Sequence, residues 1–195
     1  MPILTAKIGT NGDQFPDILE LYAPKHAHIL DMTYGEGVFW KKVNLANCSL
    51  ITNDLYKPAD THHDFTLLPS EWYNTFDVVV FDPPYKLTGT VQRPDQYGNK
   101  SGGYKLPDDV YWRGMIEAML VLKIGGILIV KCMDQVVSGK NEWMHIRIYD
   151  LATSSLGFFP EDLFIMVRPN ATPQPHETQK HAWKNHSFWW VFRKV

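Results

Sequence analysis

Residues 76–85 read FDVVVFDPPY, and the clearest chemistry in the chain lies at the end of that stretch. Asp82 carries a carboxylate, while Pro83 and Pro84 offer carbonyl oxygens and no N–H. The turn is therefore a cluster of hydrogen-bond acceptors with few competing donors, and Tyr85 adds a flat aromatic face. Its complement is a planar group with two N–H donors, such as the exocyclic amine of a nucleobase. The unbroken apolar run 78–81 predicts a strand buried on both faces, the kind found inside a parallel sheet. A proline pushes the residue before it into an extended conformation. Asp82 is thus expected at the carboxyl end of a central strand, where open α/β sheets hold ligands. By itself the turn reads equally as a strand ended by prolines; the rest of the chain separates the two.

A second set of residues precedes it. A short strand over 28–31 runs into Met32-Thr33-Tyr34-Gly35-Glu36-Gly37, and a helix is expected from about 38 to 46. Strand, Gly-x-Gly turn and helix form a nucleotide-binding arrangement, because glycines let the backbone approach a ligand at a helix N-terminus. A lone Gly-x-Gly is a weak signal, strengthened here by acids at successive strand tips. Asp31 precedes the turn. Asp54 ends the next strand, 49–54, and is placed to accept from ribose hydroxyls. Asp64 forms a third tip in His62-His63-Asp64-Phe65.

The remaining elements are those needed to position these tips. Residues 1–14 read as irregular, and a short helix opening at Asp13 or Gln14 runs to Tyr22, ended by Pro24. After Tyr85, residues 86–106 are polar and glycine-rich, as in a functional loop. A helix is predicted from 107 to about 123, a strand over 127–134, a helix over 141–156 and a strand over 164–167. A second polar loop, 169–185, leads to a last strand, 188–192. The alternation predicts a doubly wound, mostly parallel α/β sheet, with the last two strands antiparallel because only a loop joins them.

The 195 residues suit one domain. Hydrophobic content of 45% and charged content of 21% are those of a soluble globular chain. No run reaches the ~18 apolar residues of a membrane span, and the start MPILTAKIGTNGDQ lacks a basic region followed by an apolar one. Cys48 and Cys132 read as small buried hydrophobes, which suits a reducing cytoplasm, so a cytoplasmic protein with no membrane contact is expected. The net charge of −2 argues against a blanket polyanion binder, but residues 86–105 carry +3 and residues 168–195 carry +4, leaving −9 elsewhere. Side by side, those two segments make a local phosphate-binding surface. The histidines lack zinc spacing and no metal is expected.

Together, Asp31-Met32-Thr33-Tyr34-Gly35-Glu36-Gly37 and Asp82-Pro83-Pro84-Tyr85 resemble the S-adenosylmethionine-dependent amino-methyltransferases of DNA, which act on adenine N6 or cytosine N4. The resemblance covers most of the chain. It implies a Rossmann-like class I methyltransferase fold: a doubly wound, seven-stranded, mostly parallel sheet with an antiparallel last strand, in one domain spanning 1–195. It implies S-adenosylmethionine as cofactor. Asp31, Thr33, Gly35 and Gly37 would hold its methionine part, Asp54 its ribose, and Asp64 and Phe65 its adenine. Phe15 would close over the methionine end. It implies Asp82, Pro83, Pro84 and Tyr85 as the catalytic turn, acting on a base swung out of its stack.

The chain departs from that family in lacking a separate target-recognition domain. Loops 86–106 and 169–185 are the candidates instead, with Arg93 and Lys100 in the first and Lys180, Lys184, Asn185 and His186 at and just beyond the second. Aspartate at the head of the motif favours adenine N6 in DNA. The rival readings are an RNA methyltransferase acting on adenine N6 or guanine N2, a cytosine-N4 DNA enzyme, a catalytically silent nucleic-acid-binding subunit, and a small-molecule or protein-side-chain methyltransferase. A specificity partner or a homodimer is left open as the source of target choice.

Overall fold

The strand carrying the acceptor turn sits in the middle of the molecule. In the computed structural model, residues 2–46, 48–84, 107–169 and 179–195 are described. Their elements are β1 (Ala6–Ile8), α1 (Asn11–Tyr22), β2 (His28–Asp31), β3 (Ser49–Thr52), β4 (Phe76–Phe81), α2 (Pro107–Val121), β5 (Leu122–Cys132), β6 (Gln135–Val137), β7 (Lys140–Glu142), α3 (Met144–Asp150), β8 (Phe159–Val167) and β9 (His186–Arg193). Seven strands form one sheet in the order β1-β8-β9-β5-β4-β2-β3, and β6 and β7 make a separate hairpin. β9 is antiparallel to both neighbours, β5 and β8, and every other pairing in the large sheet is parallel.

Strand alternation explains the three layers. Val78 and Val80 of β4 face a core with Phe15 and Ile18 of α1 and with Trp189 of β9. Val79 and Phe81 face the opposite core with Met115 and Ala118 of α2 and Ile148 of α3. All four side chains of the apolar run are fully buried, as a strand covered by helices on both faces requires. Burying each stabilises the fold by roughly 1.5–3 kcal/mol.

The structure departs from the sequence reading in three places. Residues 6–8, read as irregular, form edge strand β1 against β8. The strand is three residues long and lacks a buried alternation, so no periodicity announces it. The helix expected over 38–46 is a single 3₁₀ turn, Val38–Lys42, enough to bury Phe39 and Trp40. Beyond it the Asn44 side chain accepts from the Ala46 N–H, a local bond that competes with helix. The helix expected over 141–156 begins only at Met144, because Lys140–Glu142 are the second strand of the β6–β7 hairpin, whose turn residues Ser138 and Gly139 have φ of 50° and 75°. Two successive positive φ values mark a hairpin turn that follows strand twist. Among the described residues no helix is long and apolar enough to cross a membrane.

Candidate active site

Because β2, β3, β4 and β5 run parallel, their carboxyl ends gather at one edge of the sheet. The turn after β2 is built there. Gly35 and Gly37 adopt φ of 59° and 63°, a left-handed backbone that costs other residues about 1 kcal/mol or more. At Gly37 an added Cβ would also stand 2.4 Å from the Tyr34 hydroxyl oxygen. The Tyr34 N–H donates to the Asn53 carbonyl at 3.0 Å, tying the loop to the tip of β3.

Carboxylates hold this loop from within. Asp31 is almost completely buried; one oxygen accepts from the Trp40 indole N–H at 2.6 Å and the other from the Thr33 N–H at 3.0 Å. Burial, opposed by those two donors and helped by the nearby charges of Asp82 and Asp54, pushes its pKa up to about 7. Asp54 is also buried: one oxygen accepts from Gly35 N–H at 3.0 Å, the other from the N–H groups of Tyr56 and Lys57 at 2.9 and 2.7 Å. Buried Asn53 completes the brace. Its amide donates to the Met32 and His63 carbonyls at 3.1 and 3.0 Å, so three chain segments share one side chain.

Asp82 lies where the acceptor turn was expected, directly after β4. Its N–H donates to the Thr33 hydroxyl at 2.8 Å, which locks the acceptor turn to the glycine loop. The Lys131 ammonium, from the end of β5, stands 3.4 and 3.5 Å from the two Asp82 carboxylate oxygens. It also lies 5.5 Å from the Trp189 ring and 5.8 Å from the Phe39 ring, within cation–π range. Lys131 is only 5% exposed. A lysine at that depth is retained where a carboxylate and aromatic faces replace its water. Nothing in the sequence singled it out, since Lys131 reads as one charge in an apolar strand.

Two residues expected at the cofactor have rings buried in the core. The Phe15 ring is fully buried among Phe39, Trp40 and Trp189, with ring centroids 4.9–5.6 Å away. The Phe65 ring is fully buried 5.3 Å from Phe81. Asp64 stays half-buried, one oxygen accepting from the Thr66 N–H and hydroxyl at 2.9 and 2.8 Å.

Next to Phe15, the Gln14 side chain is fully buried with neither amide atom hydrogen-bonded. Ser187 Oγ and Trp189 Nε1, near the start of β9, are buried and unpartnered as well. β1 ends against Val167, the last residue of β8, which places the start of α1 at the same carboxyl edge. Buried polar atoms without partners are rare, so the unpartnered Gln14 amide fits a polar ligand that completes it.

On the other side of Lys131 the edge is more open. Lys180 is exposed, and the Lys184 ammonium lies 4.7 Å over the Trp143 ring. Asn185 and His186 lead into β9, which starts beside the carboxyl end of β5 because the two strands are antiparallel. Buried Asp134 accepts from His145 at 2.8 Å, a pair that sequence reading missed. Tyr85, Arg93 and Lys100 lie outside the described residues.

No protein-family model matches the chain, and no curated protein matches it in sequence. Solved structures do. A SAM-dependent methyltransferase from Methanosarcina mazei superposes with a TM-score of 0.57 at 14% identity, over 91% of this chain and 97% of that one. The 1,6-didemethyltoxoflavin-N1-methyltransferase of Burkholderia thailandensis, solved with S-adenosylhomocysteine, gives 0.60 at 14% identity over 95% and 78% of the two chains. The chain has the class I methyltransferase fold. TrmN from Thermus thermophilus gives 0.60 at 14% identity over 94% of this chain and 49% of its own. In this class I sheet the braced glycine loop and the Asp82 turn occupy adjoining strand tips, those of β2 and β4.

Proposed function

We propose that this protein is an S-adenosylmethionine-dependent methyltransferase acting on the exocyclic amine of a nucleobase, foremost adenine N6 in DNA. One observation carries the reading: the acceptor turn at Asp82 is bonded directly to the glycine loop through the Thr33 hydroxyl, at 2.8 Å. A cofactor cradle and an amine-accepting turn are thereby one rigid unit, as a two-substrate transfer needs.

The residues present fit the cofactor. The unpartnered Gln14 amide suits the charged amino-acid end of such a molecule. Asp54 Oδ2 accepts from Gly35 and has a second lone pair suited to a ribose hydroxyl, and half-buried Asp64 suits an adenine amine. When bound, S-adenosylmethionine supplies an electrophilic methyl on a positively charged sulfur. The chain does the rest. The Asp82 carboxylate and the Pro83 carbonyl accept the two N–H bonds of the target amine, favouring a more tetrahedral nitrogen whose lone pair is no longer spread into the ring. Thr33 holds the Asp82 backbone and Lys131 holds its carboxylate, so the acceptors keep one direction as charge develops on the nitrogen. The carboxylate is also in place to take the proton that the methylated amine releases.

The test is transfer of a labelled methyl group to duplex DNA, single-stranded DNA and folded RNA, followed by digestion and identification of the labelled nucleoside. N6-methyl-2′-deoxyadenosine from DNA is the expected product. Label appearing only in RNA, or only on cytosine, replaces the substrate. No label in any of the three removes the nucleobase reading.

A further inference from the structure

We infer that the β6–β7 hairpin, together with residues 179–186, is a landing surface for the single-stranded nucleotides that flank the target base. The inference rests on the proposed action on a nucleobase. It assigns target recognition to a hairpin that sequence reading did not find.

The surface is built from contacts between two chain segments. The His181 ring bonds the Gly139 carbonyl at the hairpin turn at 2.8 Å, and the Lys184 ammonium lies 4.7 Å over the Trp143 ring at the hairpin's end. Residues 179–186 therefore run along the hairpin. Trp143 is 46% exposed and Trp183 42%, while Val136 and Val137 on the hairpin are 40% and 44% exposed. Large apolar side chains concentrated like this on a soluble protein mark a contact site.

Charge selects the occupant. Residues 135–147 and 179–186 hold Lys140, Arg147, Lys180 and Lys184 against one acid, Glu142. That acid is paired with Arg147 at 2.5 Å, and nearby Asp134 is buried on His145. The patch is thus +3 on a chain whose net charge is −2. Exposed indoles interleaved with lysines match an unpaired strand, whose bases stack on the rings while its phosphates meet the ammonium groups. An apolar or basic protein surface lacks that complementarity.

Position ties the patch to the reaction. Gln135 pairs with Glu142, so Trp143 comes beside Asp134, which is three residues from Lys131 at the Asp82 carboxylate. Three extended residues span about 10 Å, a distance that a short flanking segment covers.

The experiment measures binding of a fluorescent mixed-sequence 12-nucleotide single strand, as DNA and as RNA, by anisotropy across a salt series. Trp143→Ala is expected to weaken binding about 5- to 100-fold, the range for loss of one stacked base, and Trp143→Phe to keep most of it. Lys184→Glu is expected to weaken binding and to flatten its salt dependence. Both variants are first checked for an unchanged thermal transition; if Trp143→Ala shifts it, Trp143→Phe and Lys184→Glu decide. Equal affinity of these variants and the parent overturns the inference, as does a parent that binds neither strand, which leaves the patch to a protein partner. Trp143-dependent binding without methyl transfer to any nucleic acid keeps this inference and removes the proposed function. Transfer to an oligonucleotide with Trp143 and Lys184 irrelevant to binding does the reverse.

Discussion

The two sides of the Asp82–Lys131 pair are built on opposite principles. Toward β2 and β3 the tips are closed: Asp31, Asn53 and Asp54 are buried and bond neighbouring main chain, with the Trp40 indole on Asp31 as well. Toward β9 and the hairpin the edge is open, with Trp143, Trp183 and Lys180 exposed. A small ligand with a fixed shape suits the first. A long, variable polymer suits the second, where each contact is weak and many are needed. Lys131 marks the border, buried with the closed side yet one turn of chain from the open one.

That contrast can be broken most sharply at its border. Asp82→Ala removes the main acceptor for the amine and is expected to lower methyl transfer about 10³-fold, roughly 4 kcal/mol in the barrier. It also takes the carboxylate away from a buried ammonium, so the thermal transition should fall. Adding Lys131→Met should restore stability without restoring activity; a double variant as unstable as the single one removes the pairing argument. Lys131→Met alone tests the border from the other side. We expect about a 10- to 100-fold loss in kcat with little change in KM for S-adenosylmethionine, because the acceptor loses its direction while the cradle stays intact. A loss confined to KM counts against a positioning role.

The closed side is sharpened by its glycines. Gly37→Ala is expected to destabilise the protein by about 2 kcal/mol or more, because a left-handed φ and the Tyr34 clash act together. Gly35→Ala, whose new Cβ meets nothing nearer than 3.9 Å, should cost about 1 kcal/mol. Thermal unfolding of the two variants side by side checks the order.

The smallest effect concerns Asp31. Its folded pKa of about 7 lies above its ordinary 3.8, so the folded protein holds an extra proton between those values. Its contribution to stability is greatest below about pH 4 and is lost as pH rises toward 7, with a slope of at most about 1.4 kcal/mol per pH unit. Asparagine at that position does not titrate. The parent should lose stability relative to Asp31→Asn between pH 4.5 and 7.5, and a constant gap between the two melts over that range rejects the assignment.

Much of this was legible in the chain because it depends on local rules. Four apolar residues before two prolines specify a doubly buried strand and its end, and Asp82 is where that rule places it. Gly35 and Gly37 stand at left-handed positions that other residues enter only at a cost. The alternation of elements implied a wound sheet, and the lone loop before β9 implied its reversed direction.

What sequence alone could not decide is which side chains meet across the sheet. Phe15 and Phe65 were expected at the cofactor only through the resemblance, and nothing in their local pattern showed that packing would bury both rings. Lys131 looked like a stray charge in an apolar strand, and only the neighbouring register of β4 and β5 brings it to Asp82. The β6–β7 hairpin is three residues a side and too short for a periodicity to show. Local pattern determines which elements form and where they end. Long-range pairing, which depends on register and on what is left to fill each core, decides which of their residues share a site.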